Sequence, residues 1–277
     1  MKNKPQKFHP GLVVGIALIL FVILLISCAP AIVEYSPIEQ SAENRLQSPN
    51  SNHWFGTDRF GRDVFSRTLY GGRTTLVSSF SALLAAIIVG VSIGIISGLY
   101  YGKIIDTIFM RLVDVLMAYP FMILAMVIAG LFGTGLAYLL LAVVIIGWVP
   151  FARLTRSIVV HEKNATTVMA ATTLGASKIA IVFRELLPKV LSSVFVQATF
   201  ELGTIILSIS ALSFLGLGAQ PPTPEWGSML SDGRPHFFTA PHILLGPAFF
   251  IIITVFALNL IGEGLRDMLD PYEILEI

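Results

Sequence analysis

Charge and cysteine are both scarce in this sequence, and each shortage excludes a class of protein. Asp, Glu, Lys and Arg make up 13% of the 277 residues, against about 25% in soluble domains. Cys28 is the single cysteine, so an internal disulfide framework is excluded. The formal net charge of +1 gives no basic excess of the kind that binds nucleic acid. Because 55% of the residues are hydrophobic, the composition predicts a membrane protein without a sizeable water-soluble domain.

Motifs for catalysis and for metal binding are missing as well. A phosphate-binding loop needs Gly-x-x-x-x-Gly-Lys-Ser/Thr, and the nearest segment, 98–103, has the wrong spacing and is followed by Ile104. His53, His236 and His242 lie in predicted outer loops without the spacing of metal ligands. We therefore predict that the chain is not an enzyme and that it holds no cofactor and no metal.

Long apolar runs predict six transmembrane helices, since about 20 apolar residues cross the hydrocarbon layer. The third span follows an amphipathic inner segment, 100–119, in which Arg111 and Asp114 are spaced to form an ion pair. Trp54 and Trp226 are predicted to anchor at the membrane surface. The predicted spans are 11–33, 76–99, a third ending at 132, 136–149 before Pro150, 190–217 and 243–261.

The first apolar run has two possible interpretations. Its basic start and the string Leu25-Ile26-Ser27-Cys28 resemble a signal peptide with a lipoprotein cleavage box. The run is, however, longer than the apolar core of a usual signal peptide. The sequence therefore predicts a first span that is retained.

Lys and Arg residues set the predicted orientation. Lys2, Lys4 and Lys7 precede the first span, and loop 151–189 carries six Lys or Arg residues against two Glu. Both segments are expected in the cytoplasm, as are both termini. The outer loop also contains five arginines, which we expect to be balanced by acids (Arg45, Arg59, Arg62, Arg67 and Arg73).

The predicted organisation has three parts. Residues 1–33 form a cytoplasmic amino terminus with the first span. Residues 34–74 form an extracytoplasmic loop with an amphipathic helix along the outer membrane surface. Residues 75–277 form a core of five further spans, with the cytoplasmic loop 151–189 inside it. In the second span, Gly90, Gly94 and Gly98 recur every fourth residue, which predicts close packing against another helix.

The segment MAATTLGASKIAIVFRELLP, at 169–188, organises the chain. Ala170 and Ala171 favour a helix, Gly175 suits the left-handed conformation that ends one, and the apolar residues after Ile179 recur at helical spacing. The sequence thus predicts two short helices with a break. The first presents only small side chains, which lets another protein approach closely. A solvated loop that is rich in Ala and Gly is the alternative.

This segment resembles the cytoplasmic "EAA" loop of ABC importer permeases, with Met169 in place of the family's usual Glu. Three further strings match the branch of that family that transports dipeptides, oligopeptides or nickel. They are GTDRFGRD at 56–63, SALSFLGLGAQPPTPEWGSMLSDGR at 210–234 and NLIGEGLRDMLDP at 259–271. The chain is identified by these strings as a member of that branch.

The resemblance implies an all-α, polytopic membrane protein with six transmembrane helices and the type I ABC importer permease (MetI-like) fold. It also implies a second, homologous permease subunit in a heterodimer, two cytoplasmic ATPases, an extracytoplasmic binding protein and surrounding lipid. The location would be the inner membrane of a bacterial or archaeal cell. The residues implied to couple to an ATPase are Met169, Ala170, Ala171, Leu174, Gly175, Ala176 and Ser177.

Glu201 lies within the fifth predicted span, where a charge is costly and indicates function by default. It is a candidate for lining a translocation path, where it would meet a cationic amine or a metal. A structural acid paired with a neighbouring helix is the alternative. For the whole chain, the alternative function is a self-sufficient secondary transporter or channel, which would show internal repeats and more charges inside its spans.

Overall fold

The computed structural model describes residues 10–269. The predicted cytoplasmic arm with Lys2, Lys4 and Lys7, and the tail from residue 270, lie outside the described residues.

Helices make up nearly all of the described chain, and within residues 10–269 there is no β-strand beyond an isolated bridge between Thr57 and Asp63. The helical structure includes a π-helical turn, Val182–Leu186, and a 3₁₀ turn, Arg234–His236. The helices are α1 Pro10–Ser27, α2 Ala29–Ile32, α3 Val64–Leu99, α4 Ile104–Ala118, α5 Phe121–Phe132, α6 Leu136–Gly147, α7 Val149–Glu162, α8 Thr166–Thr173, α9 Lys178–Ile181, α10 Leu187–Phe214, α11 Trp226–Gly233 and α12 His242–Leu269.

Five helical segments of the described chain are long and apolar enough to cross a membrane, and α4 with α5 gives a sixth if this pair, bent by 97°, is one span. This confirms the predicted all-α, polytopic class. The five segments are Pro10–Ser27, Val64–Leu99, Leu136–Glu162, Lys178–Phe214 and His242–Leu269.

The second span begins earlier than predicted. Residues 64–75 were expected to lie along the outer membrane surface, but they are the first turns of α3. The Asp63 carboxylate caps this helix by accepting a hydrogen bond from the Ser66 backbone N–H at 2.7 Å. Val64 and Leu69 are fully buried among residues of α11 and α12. The helix is therefore one continuous rod rather than a surface helix followed by a span.

The fourth span continues beyond its predicted end at Pro150. This proline occupies the first turn of α7, where its missing N–H costs no hydrogen bond. The helix then runs to Glu162, and Phe151, Ala152 and Val159 on it are buried. The segment predicted as loop 151–189 therefore begins with three turns of packed helix.

The glycine stripe on α3 packs against α7, as predicted. A Cβ atom at Gly90 would lie 2.4 Å from the Trp148 carbonyl oxygen, and one at Gly94 would lie 2.5 Å from the Thr155 Cβ. At Gly98 the corresponding distance to the Val159 Cβ is 2.7 Å. Real Cβ contacts are longer than these distances, so only glycine allows the two helices to approach this closely.

We expect Gly94→Ala to destabilise the protein by about 1–3 kcal/mol, because the added methyl group must push α7 away. Gly147→Ala is the matched control, since its Cβ would meet the nearest atom, the Ala86 Cβ, at an ordinary 3.7 Å. Thermal unfolding in detergent should show a lower midpoint for Gly94→Ala alone. Equal midpoints for the two variants would contradict the tight packing of α3 on α7.

Trp226 does not anchor at the membrane surface, contrary to the prediction. Its side chain is fully buried beside Leu69 and Phe250, and its Nε1–H donates to the Thr68 carbonyl oxygen at 2.9 Å. The adjacent Glu225 is also fully buried. Burial raises the pKa of its carboxyl, while hydrogen bonds from the backbone N–H groups of Gly227 and Ser228 act in the opposite direction. Trp226 and Glu225 thus hold α11 against the amino-terminal part of α3.

Three of the five outer-loop arginines are paired with acids, as the sequence predicted. Arg62 Nε lies 2.6 Å from Asp58 Oδ2, and Arg67 Nε lies 3.5 Å from the same oxygen. Arg62 Nη2 lies 3.2 Å from Asp232 Oδ2, and Arg59 Nη2 lies 2.8 Å from Asp232 Oδ1. This outer ion network, Asp58–Arg59–Arg62–Arg67–Asp232, ties loop 34–63 to the segment between α10 and α12.

Candidate functional site

The break between α8 and α9 is a helix stop built on Gly175. The Ala176 N–H donates to the Ala171 carbonyl oxygen and the Gly175 N–H to the Thr172 carbonyl oxygen, both at 3.0 Å. These two bonds form a Schellman motif, which needs a left-handed residue at the position of Gly175. Its φ is +82°. The predicted pair of short helices with a glycine break is confirmed.

Ser177 restarts the chain as a helix on the other side of this break. Its side-chain oxygen accepts from the Ala180 backbone N–H at 3.2 Å, which makes it the N-cap of α9. The following π turn leads into Leu187 and Pro188 at the start of α10. Each end of the turn at 174–177 is thus fixed by its own hydrogen bonds.

The turn and its flanks project away from the rest of the chain. Residues 172–179 are all exposed, and a Cβ atom at Gly175 would meet nothing within 4 Å. Leu174 is 87% exposed and Met169 54% exposed. Val168 is the residue of α8 that is buried. We call residues 169–177 the knob: a small, preformed surface with exposed apolar side chains outside the membrane-spanning segments.

The base of the knob is closed by an ion pair that the sequence analysis missed. Lys189 Nζ, at the start of α10, contacts Glu162 Oε2, at the end of α7. The two helices that carry the knob are therefore clamped together where they leave the bundle. Residues 162 and 189 are far apart in sequence, so no local pattern identifies the pair.

Two further ion pairs hold α7 to α4 on the same side of the molecule. Asp106 accepts hydrogen bonds from Arg156 Nε and Nη2, at 2.6 and 2.9 Å, and from the Ser97 hydroxyl. Asp114 pairs with Arg153 at 2.8 Å, and not with Arg111 as the helical spacing predicted. The helix that leads towards the knob, α7, is thus tied to α3 and α4.

Glu201 lies in the middle of α10, far along the helix from the knob, and is half-buried. Its Oε1 accepts a hydrogen bond from Gln197 Nε2 at 3.0 Å. Glu201 therefore lies in the helical segment Lys178–Phe214, which begins directly after the knob.

The three histidines of the predicted outer loops do not form a common site. His53 Nδ1 lies 2.9 Å from Asp63 Oδ1 in a buried pair, and His242 Nε2 lies 3.4 Å from the Thr57 carbonyl oxygen. His236 is half-buried in the turn after α11. Over residues 10–269, no three His, Cys, Asp or Glu side chains are grouped as a metal ion would require.

Comparison with known proteins adds the following similarities. The family model described as "binding-protein-dependent transport system inner membrane component" matches residues 90–272. A dipeptide transport system permease protein, DppC of Alkalihalophilus pseudofirmus, is 44% identical over 268 residues, covering 97% of this chain and 88% of the relative. A glutathione transport system permease protein, GsiD of Pectobacterium atrosepticum, is 41% identical over 262 residues, covering 93% and 87%.

Among solved structures, the MetNI methionine ABC transporter in an inward-facing conformation has a similar fold. The TM-score is 0.55 at 20% sequence identity, over 72% of this chain and 95% of the matched chain. Its MetI-like architecture confirms the fold predicted from the sequence.

Proposed function

The chain belongs to the family of binding-protein-dependent transport system inner membrane components, and from this premise we propose that it is the permease subunit of an ATP-driven importer of short peptides. The single observation that carries the proposal is the knob, residues 169–177. The knob exposes the apolar side chain of Leu174 to water, which is unfavourable. A partner protein that docks on the knob would cover it.

The partner that fits the knob is a separate ATPase subunit in the cytoplasm. Basic residues flank the knob along the chain, among them Arg156, Lys163 and Lys189, and basic residues favour the cytoplasmic side. Residues of the first turns of α1 and the last turns of α12 lie together, since Gly264 packs on Leu12. We place both ends of the chain on this cytoplasmic side, and loop 34–63 outside the membrane.

The proposed mechanism is mechanical. ATP draws two ATPase subunits together and each pulls on a knob. The ion pair Lys189–Glu162 at the base transmits the movement into α7 and α10, and the pair Arg156–Asp106 carries it from α7 to α4. The spans then alternate between openings to the inside and to the outside, together with those of a second, homologous permease subunit. A binding protein delivers the substrate to the outer segments, and ATP hydrolysis resets the path.

Short peptides are the proposed substrate class, because the two relatives described above are named for dipeptide and glutathione transport. Nickel, the other substrate expected from the resemblance, has no such support here. The rival function, a secondary transporter or channel, would leave the knob without a role.

The test is uptake into vesicles that contain the purified complex of this chain with its neighbouring transport subunits. We expect uptake of labelled dipeptide or glutathione that requires both ATP and the binding protein. Uptake of nickel in place of peptides would contradict the substrate class. Uptake by this chain alone, driven by an ion gradient, would contradict the proposed function.

A further inference from the structure

One face of α10 carries a row of polar side chains through the middle of the longest span. Gln197, Glu201, Thr204 and Ser208 follow one another at intervals of four, three and four residues, which places them on the same side of the helix. Gln197 and Glu201 are half-buried and Thr204 is exposed. We call these four residues the polar row.

Three donor side chains of the polar row already give a hydrogen to an acceptor of α10. Gln197 donates its amide hydrogen to Glu201 at 3.0 Å. The hydroxyl of Thr204 donates to the Phe200 carbonyl oxygen at 3.2 Å, and that of Ser208 donates to the Thr204 carbonyl oxygen at 2.8 Å. Because a carboxylate accepts only, the amide of Gln197 must present its NH₂ to Glu201 and its oxygen elsewhere.

The polar row therefore offers acceptors and few donors to whatever lies beside it. The lone pairs that remain accessible belong to the Gln197 amide oxygen, the second carboxylate oxygen of Glu201 and the Thr204 hydroxyl oxygen, since Ser208 is buried. A charged group at the centre of a bilayer is costly, so such residues face a water-filled cavity or a partner rather than lipid. Phe195, on the opposite face of α10, is 70% exposed and apolar, as a lipid-facing residue would be.

We infer that the polar row lines the translocation path and that Gln197 and Glu201 bind the primary ammonium group of a passing peptide. An ammonium group has three donors and a positive charge, which complement the acceptors and the negative charge of this pair. Dipeptides with a free amino terminus carry such a group. The inference rests on the proposed function and identifies the chemical feature of the substrate that this chain recognises.

The first experiment asks whether the row faces water. Cys28→Ser removes the only cysteine of the chain, and single cysteines are then introduced as Gln197→Cys or Phe195→Cys. The two positions lie at nearly the same depth but about 200° apart around the helix. In the assembled transporter in permeabilised membranes, we expect a charged methanethiosulfonate to modify Gln197→Cys at least tenfold faster. Equal rates would overturn the inference.

The second experiment asks whether Glu201 supplies a negative potential there. Thr204→Cys lies one turn from Glu201, and a unit charge at that separation in water changes the local concentration of a monovalent ion about threefold. The ratio of cationic to anionic modification rates should therefore fall about tenfold when Glu201→Gln is added. An unchanged ratio would mean that Glu201 is neutralised by a basic partner, and would overturn the inference.

The third experiment identifies the ligand group. A dipeptide amide carries an ammonium group without a carboxylate, and its N-acetyl derivative carries neither. We expect the dipeptide amide to slow modification of Thr204→Cys when Glu201 is present but not in Glu201→Gln, and the acetylated form to have no effect. Equal protection by both forms would contradict ammonium recognition.

These outcomes separate the inference from the function on which it rests. If the wild-type complex shows no ATP-dependent uptake of peptide, the proposed function fails. If uptake is normal while the polar row is unmodified or insensitive to Glu201→Gln, only the inference fails.

Discussion

Gly175→Leu will reduce ATP-dependent uptake at least tenfold while the amount of the chain in the membrane stays unchanged. A leucine in the left-handed conformation costs about 1–2 kcal/mol, and Gly175 has φ +82° with nothing within 4 Å of a Cβ atom. The strain therefore acts on the knob and not on the packed bundle. The added side chain also prevents close approach of a partner. Uptake of labelled peptide and immunodetection in membranes measure the two quantities.

Gly102→Leu is the matched control for this prediction. Gly102 is also exposed, has φ +78° and has nothing within 4 Å of a Cβ atom, but it lies in the turn between α3 and α4. Leucine at this position should impose the same backbone strain of about 1–2 kcal/mol. Because Gly102 is not part of the knob, uptake should stay within about twofold of wild type. If both variants lose uptake equally, backbone strain and not the knob explains the result.

Arg62→Gln will destabilise the protein by about 3–5 kcal/mol, as is usual when one partner of a buried ion pair is removed. Arg62 is 1% exposed and contacts both Asp58 and Asp232. Without its charge, the buried Asp58 keeps two backbone hydrogen bonds but only the longer ion pair, with Arg67 at 3.5 Å. We expect a large fall in the thermal unfolding midpoint in detergent and a low yield of folded protein.

Arg59→Gln removes the same charge from the same network and serves as the control. The Arg59 side chain is 41% exposed and pairs with Asp232 at 2.8 Å. Exposed ion pairs contribute about 0–1 kcal/mol, so its unfolding midpoint should stay close to that of wild type. Similar losses for both variants would show that burial of Arg62 is not what makes the outer ion network important.

Local patterns were sufficient to predict the helices of the knob and the tight face of α3. Gly175, Ser177 and the spacing of Gly90, Gly94 and Gly98 act through bonds and contacts within a few residues or along one helix face. Hydropathy identified the spans because each span is also a local feature: in lipid, a helix must satisfy the hydrogen-bonding groups of its own backbone.

The boundaries of the helices and the partners of the side chains depend on the tertiary structure, and the sequence did not predict them correctly. Pro150 looked like the end of a span, but a proline is accepted in the first turn of a new helix segment. Tryptophan is a residue type that anchors at membrane surfaces, yet residues of α3 and α12 bury Trp226. The partner of Asp114 is Arg153, on another helix, and not Arg111 on its own. No periodicity in the sequence carries this information.

The central claim is that the knob receives force from a separate ATPase, and a cross-link from its tip tests this most directly. In a Cys28→Ser background, Leu174→Cys is labelled with a photoactivatable maleimide in the assembled transporter, and the adduct is identified by mass spectrometry. We predict an adduct with the subunit that binds and hydrolyses ATP, and its loss when Gly175→Leu is added. An adduct with lipid or with the binding protein would contradict the account.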